Sequence, residues 1–534
     1  MKIGPVADRW QLRRNRSRQP APAIGRRGFL GTTLAASALA ATRTGSLWAQ
    51  AASAAVPDQL AVRGRDGSWL TVRAAELKDL RAGLNGMLLL AQDPAYDAAR
   101  RLWNPAFNRH PALIIRCTDA ADVRRAVIFA HTHDLLTAVR GGGHSLSGQS
   151  MCDGGLVIDM SPMKDIKVDS RQRLARAQGG VLLGELDRST QAVGLATTLG
   201  TATDTGIAGL TLGGGMGRLM RLHGLACDNL RSVEIVTADG QLRHVSEGEN
   251  PELFWGVRGG GGNFGVATAF EYQLHPLTHQ VLSGDRIYPY SQARTVFAAV
   301  TELAAQAPDE LMLSAEIFNS THGSQVGRYV GWSVDYCGDP GTGARLLEPL
   351  RSLGTPLLDT VGAVSYLTAQ GAQGAATVAV PSQATIYAKS GFFHKVPAAM
   401  FDELVRRFET LPDGLDLSAG LEQMGGAMAR VAPTATAFWN RPALFDFLIN
   451  GTWMDHTRSE QFISAIHTLW DGIAAYTQGY YVNTEPGADD QRLRATYGDN
   501  YPRLVKLKNK VDPTNLFSLN ANIRPTAAHH LPLE

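Results

Sequence analysis

Short apolar runs and amphipathic stretches alternate along this chain from about residue 112. ALIIRC (112–117) reads as a buried strand, and AADVRRAVIFAHTHD then sets Val123, Ala126, Val127 and Ala130 at helical spacing. LLTAVRG (135–141) is a second strand that opens into a glycine-rich loop. GLVIDM (155–160) and LARAQGG (174–180) read as further strands, followed by a helical stretch from Leu182 to Val193. SVEIVTADGQLRHVS predicts a hairpin with Asp239-Gly240 as a two-residue turn. VATAFEYQL (266–274) closes this α+β block near Pro276.

Between about 278 and 475 the texture changes. Glycine-rich loops give way to long amphipathic stretches such as Thr295 to Ala307, which predicts a second α+β domain. The tail holds a strand-like YYVN (480–483) and a helical RLVKLKNKV that must stop at Asp512-Pro513, because proline cannot continue it. The pattern divides the chain into a leader (1–51), a lead-in segment (52–107), a first domain (108–277), a second domain (278–475) and a tail (476–527).

The leader changes the reading of charge. The chain carries a net +2, but residues 1–51 hold nine Lys/Arg against Asp8 alone, which leaves about −6 for the rest. A mildly acidic body argues against nucleic acid as a partner. Within the leader, a basic stretch ends in Arg26-Arg27, Phe29 to Ala41 is small and apolar, and Ala49-Gln50-Ala51 has the pattern of a signal-peptidase site. Thirteen apolar residues are too few for a spanning helix, so no stable membrane anchor is expected. The RRGFLG stretch resembles the twin-arginine signal, which implies export of the folded protein to the periplasm or beyond. Four widely spaced cysteines form no C-x-x-C pair and signal neither a zinc site nor a disulfide framework.

Three glycine clusters carry the chemistry: RGGGHSLSG (140–148), GLTLGGGMG (209–217) and RGGGGNFG (258–265). Glycine at this density is costly unless backbone must approach something closely, and a diphosphate cradled by N–H groups is the usual reason. The third cluster contains a formal G-x-G-x-x-G. A dinucleotide fold would need a strand before it and a helix after; here helical NPELFWGV precedes and VATAFEYQL follows, so a nicotinamide-dependent reductase is disfavoured. No metal-ligand motif is present.

VRGGGHSLSGQSMCDGGLVIDMSPMKDIKVD, GIAGLTLGGGMGRLMRLHGLACDNL and FWGVRGGGGNFGVAT together resemble the berberine-bridge-enzyme-like FAD oxidases, whose cofactor domain is of the p-cresol methylhydroxylase type. YVN…YGDNYPRLVKLKNKVDPTNLFSLNANI resembles their tail segment, and the likeness runs in order from about Tyr96 to Pro525, thin only across the middle domain. The resemblance implies an α+β fold: a two-subdomain FAD-binding domain, an α+β substrate domain with an antiparallel sheet, and a C-terminal segment returning to the FAD domain. It implies FAD bonded covalently through His144, chemistry open to a neutral imidazole. Plant relatives often carry a second, cysteinyl link; Ala202 stands there, so one link is expected, and Cys227 reads as a small buried residue.

By the same resemblance, the first loop would hold FAD through Arg140, Gly141, Gly142, Gly143, Ser145, Gly148 and Gln149. The second region would contribute Thr203, Gly206, Gly209, Gly213, Gly214, Gly215 and Asp228, the third cluster Gly265 and Val266, and the tail Asn483 and Asn522. Tyr481 matches a family tyrosine over the flavin face. It is either the base, which would need donors to lower a phenol that titrates near 10, or a core ring. His223, where relatives often carry tyrosine, either tunes that base or packs. The implied reaction takes hydride from an alcohol, sugar hemiacetal or amine carbon of a small-molecule substrate to FAD, with dioxygen as acceptor and hydrogen peroxide as product. A dehydrogenase using a quinone or cytochrome, and an exported flavin-binding protein without turnover, are the alternatives.

Overall fold

Leu113–Arg116 and Leu156–Asp159 are short and largely buried on both faces, as strands of a parallel sheet must be, and Thr137–Arg140 is half-buried at its Val139-Arg140 end. Leu156–Asp159 pairs in parallel with both of the others. The right-handed crossover expected of such a unit runs through helix Ala120–Thr132, where Val123, Ala126, Val127 and Ala130 are buried as their spacing requires. Asp119 caps that helix by accepting the Asp122 N–H at 2.9 Å. In this computed structural model, residues 55–321, 326–377, 384–485 and 489–526 are described; the leader lies outside them.

The lead-in segment is more structured than its sequence pattern implies. It holds a hairpin, Gln59–Arg63 with Trp69–Arg73, and a strand, Met87–Leu90, which adds antiparallel to Leu113–Arg116 as a fourth strand. The second subdomain is a five-stranded antiparallel sheet ordered Leu242–Ser246, Leu230–Val236, Val266–Gln273, Leu174–Gln178, Ile166–Asp169. The hairpin at 230–246 differs from the two-residue turn expected. Thr237 N–H donates to Gln241 O at 3.1 Å and Gly240 N–H to Thr237 O at 2.9 Å, closing a three-residue loop with Gly240 at φ +76°.

The middle domain is a nine-stranded antiparallel sheet. One face of it packs under helices Ala293–Ala305, Ala398–Phe408 and Ser459–Asp471, burying Phe297, Phe401, Phe447, Trp453 and Ile466. Alternation puts the other side chains of Asp416–Gln423 and Phe445–Trp453 on the opposite face, toward the first domain.

The tail leaves this sheet at Thr477–Gln478 and crosses back. Helix Tyr501–Val511 stops at Asp512 before the proline, and buried Lys508 bonds Asp512 at 2.7 Å and the Asn263 carbonyl at 2.8 Å. YYVN is not a strand. The Tyr481 N–H donates to Ser390 Oγ at 3.1 Å and Val482–Thr484 form a turn, because the chain here bridges two domains and has no ladder to join.

Candidate active site

A cavity of about 390 Å³ opens between the two subdomains of the first domain and the free face of the middle sheet. Of the residues expected to hold a cofactor, Gly141, Gly142, Gly143, His144, Ser145, Gln149, Gly206, Gly209, Gly265 and Asn483 line it, and Tyr481 joins them. Its floor is a backbone contact. A Cβ on Gly142 would lie 2.6 Å from the Gly206 backbone, and one on Gly206 would lie 2.4 Å from the Gly142 nitrogen, so neither position tolerates a side chain. None of the N–H groups from Gly142 to Ser147 donates to a protein acceptor among the described residues. Such a run of free donors is an anion-binding concavity. Ser150 Oγ, a hydroxyl that can donate, is also buried without a partner among the described residues, and the Gln149 amide holds the tail against the loop by donating to Asn520 O at 3.0 Å. This donor set fits a dinucleotide.

His144 stands at the loop tip with Trp103 stacked on it, centroids 4.4 Å apart and planes 18° apart. The Trp103 N–H donates to Gly143 O at 2.9 Å, and Asn104 Nδ2 to Leu146 O at 2.9 Å, so the lead-in segment clamps the loop. Asp204 Oδ1 lies 3.5 Å from His144 Nε2. Burial opposes the Asp204 charge, but the imidazole outweighs it and holds the carboxyl below its usual range.

Glu422 and Asp446 enter the cavity from the middle sheet, directly opposite one another on neighbouring strands. Asp446 is 5% exposed, and its Oδ1 has no hydrogen-bond partner among the described residues. Burial pushes Glu422 up to about 7, with Arg218 opposing and Asp335 adding to the rise. Burial, reinforced by the Glu422 charge, pushes Asp446 well above the carboxylate range. Close, poorly solvated carboxyls resist ionising together, so the pair holds a proton near neutral pH.

Tyr481 is buried with its oxygen facing donors: Gly215 N–H at 3.1 Å, Met216 N–H at 3.4 Å and Asn483 Nδ2 at 2.9 Å. Burial still wins over these donors and pushes the phenol up to about 12, so it stays protonated.

Other expected contacts lie elsewhere. Arg140 braces the loop from behind through Asp159 at 3.1 Å, and Gly148 turns against the Phe107 ring. Gly213, Gly214 and Gly215 make room for Asn483, Phe438 and Ala226. Thr203 accepts the Gly184 N–H through its carbonyl, Val266 points into the core, and Asn522 sits behind Ala521. Asp228 binds Arg441 through both oxygens at 2.6 and 2.7 Å, and so pins a loop of the middle domain onto the first. His223 lies outside the cavity, stacked on His275 at 3.8 Å, and burial followed by the His275 charge lowers it to about 4. It packs; it does not reach the site. Cys227 is buried and free, as are Cys117, Cys152 and Cys337.

Glu422, Asp446, Trp103 and Asp204 were not legible as site residues. A signal existed for Asp446, a carboxylate between Phe445 and Phe447 in the apolar first half of its strand. Among the described residues no group of His, Cys, Asp and Glu could hold a metal ion, and no helix is long and apolar enough to cross a membrane.

Unpaired backbone donors and a carboxyl pair lining one cavity fit a site for an anionic cofactor beside an acid–base group. Comparison with known proteins supplies the rest. Residues 111–246 match the family described as FAD binding domain, and 480–524 match the one described as berberine and berberine like. The chain is 31% identical over 455 residues to an FAD-linked oxidoreductase of Bacillus subtilis (strain 168), spanning 83% of this chain and 97% of that protein. It is 40% identical over 201 residues to (R)-6-hydroxynicotine oxidase of Paenarthrobacter nicotinovorans, 38% of this chain and 44% of that one. The crystal structure of 6-hydroxy-D-nicotine oxidase from Arthrobacter nicotinovorans superposes with TM-score 0.76 at 26% identity, covering 82% of this chain and 98% of that one. A chitooligosaccharide oxidase shares the fold, with TM-score 0.75 at 24% identity over 85% of this chain and all of that one. The chain belongs to the berberine-bridge-enzyme-like family of FAD-linked oxidoreductases, and it is an enzyme.

Proposed function

We propose that this enzyme is an oxidase of alcohols, sugar hemiacetals or amines that carries FAD covalently on His144 and passes electrons to dioxygen, giving hydrogen peroxide. The observation that carries the reading is the Glu422–Asp446 pair facing the His144 loop across one cavity. FAD supplies the hydride acceptor. The N–H groups of 142–147 would hold its diphosphate, with Gln149 tying the tail to that loop and Asn483 tying the tail to the second glycine region. Glu422, poised to ionise near 7, takes the O–H or N–H proton of the substrate as the C–H bond is oxidised. Protonated Asp446 beside it keeps the pair singly charged. Tyr481, held by three donors, is a fixed neutral hydroxyl bordering the site; the role of base passes to Glu422.

The RRGFLG stretch and the short apolar run support export by the twin-arginine route, so the enzyme works in the periplasm or outside the cell. Folding before export gives the cofactor time to load.

The deciding experiment denatures the purified protein in acid. Yellow colour should stay with the wild-type chain and leave His144→Ala. Peroxide release under air, with a panel of alcohols, aldoses and amines, supports the oxidase. Reduction of a dye or quinone without peroxide would make it a dehydrogenase, and colour freed from the wild type would remove the covalent link.

A further inference from the structure

The covalent bond proposed above needs one particular nitrogen of His144 to be nucleophilic, and the surroundings of the ring are arranged unevenly. Trp103 covers one face. Nε2 is buried, faces Asp204 Oδ1 at 3.5 Å and has no closer hydrogen-bond partner among the described residues. Asp204 Oδ1 is likewise buried and has no hydrogen-bond partner among the described residues, so this oxygen is left to face the imidazole. That loop ends at Gly206, whose backbone touches Gly142 and sets the spacing between Asp204 and the histidine loop. Nδ1, which is not among the buried unpartnered atoms, is the nitrogen left for the cavity that His144 lines.

We propose that Asp204 is the positioning base for flavin attachment: by taking the Nε2 proton it keeps the Nδ1 lone pair aimed at the 8α carbon. A carboxylate on the far nitrogen fixes an imidazole tautomer and raises its basicity. The step balances as an addition. One C–H bond of the 8α methyl breaks and one Nδ1–C8α bond forms. The electron pair of the broken bond reduces the ring system by two electrons. The methyl proton and the Nε2 proton, the latter through Asp204, complete the reduced flavin. Dioxygen then takes the two electrons and two protons as hydrogen peroxide and restores the oxidised state. Trp103 prevents the ring from turning its face to the cavity.

The proposal rests on the covalent reading of His144, and its test separates the two. Wild-type, Asp204→Asn, Asp204→Ser and Asp204→Glu proteins are produced under riboflavin limitation so that they start without bound flavin, given excess FAD under air, and sampled over time by acid precipitation, counting flavin retained on the chain against flavin released. Asp204→Asn keeps the shape and loses the base, so it should still bind FAD reversibly and in full while attachment slows about 100-fold. Asp204→Ser should behave alike and serves if the Asn variant folds poorly; Asp204→Glu should recover part of the rate. Attachment at the wild-type rate in either the Asn or the Ser variant would overturn the role of Asp204 and leave the His144 link standing. Release of all colour from the wild type would remove the link and this proposal together.

Discussion

Replacing Glu422 by Gln tests both the chemistry and the electrostatics of the cavity. From an ordinary 4.5, burial carries Glu422 to about 7. At about 1.4 kcal/mol per pH unit, ionising it in place costs about 3 kcal/mol, an upper figure because the cavity admits water to a half-buried side chain. Between those two pH values the folded chain holds a proton that the unfolded chain has released. Its stabilising contribution is therefore complete below about 4.5 and is lost as pH rises through 7. Gln is neutral throughout, so the variant should match the wild type near pH 4.5 and exceed it by up to about 3 kcal/mol above pH 7, read from denaturant unfolding at both pH values. Catalysis should move the other way. Flavin reduction, followed by rapid mixing without oxygen, should rise through pH 7 in the wild type as Glu422 loses its proton. In the variant it should fall by about 100-fold or more and lose that inflection. A variant that reduces flavin at the wild-type rate with the same pH profile would refute Glu422 as the base. Equal stability at both pH values would refute the buried charge.

Further outcomes follow from the same geometry. Tyr481→Phe strands three donors, so thermal unfolding should show a loss of about 1–3 kcal/mol, with the pH dependence of flavin reduction kept. A vanished pH inflection would return the base to Tyr481. Asp228→Asn leaves the Arg441 guanidinium buried and short of its charge, and should cost about 3–5 kcal/mol in denaturant unfolding; a neutral effect would contradict the pinning role. Gly142→Ala drives a methyl into the Gly206 backbone, so the purified protein should be colourless and take up no FAD. His223→Phe, outside the cavity, should leave the flavin reduction rate unchanged; a large loss would restore His223 to the site.

Much of the flavin side was written locally. The 140–148 loop sits where it was expected because glycine density is a backbone property: free N–H groups and the Gly142–Gly206 contact depend on the residues themselves lacking side chains. The parallel strands, the helix at 120–132 and the stop at Asp512 follow from apolar periodicity and proline in the same way. Asp228 and Gly213–Gly215, in contrast, lie in a motif of the right kind but serve packing and an ion pair, a distinction the motif does not carry.

The sequence alone determined which backbone could wrap a dinucleotide and which histidine stands at its tip, since both are matters of a few adjacent residues. Tertiary structure alone decided what faces them. Glu422 and Asp446 are 24 positions apart and become a pair only through strand register, while Trp103 and Asp204 reach His144 from segments without a motif of their own. A carboxyl becomes a base near neutral pH through the partial desolvation and the neighbouring charge that folding supplies, and neither exists in the unfolded chain.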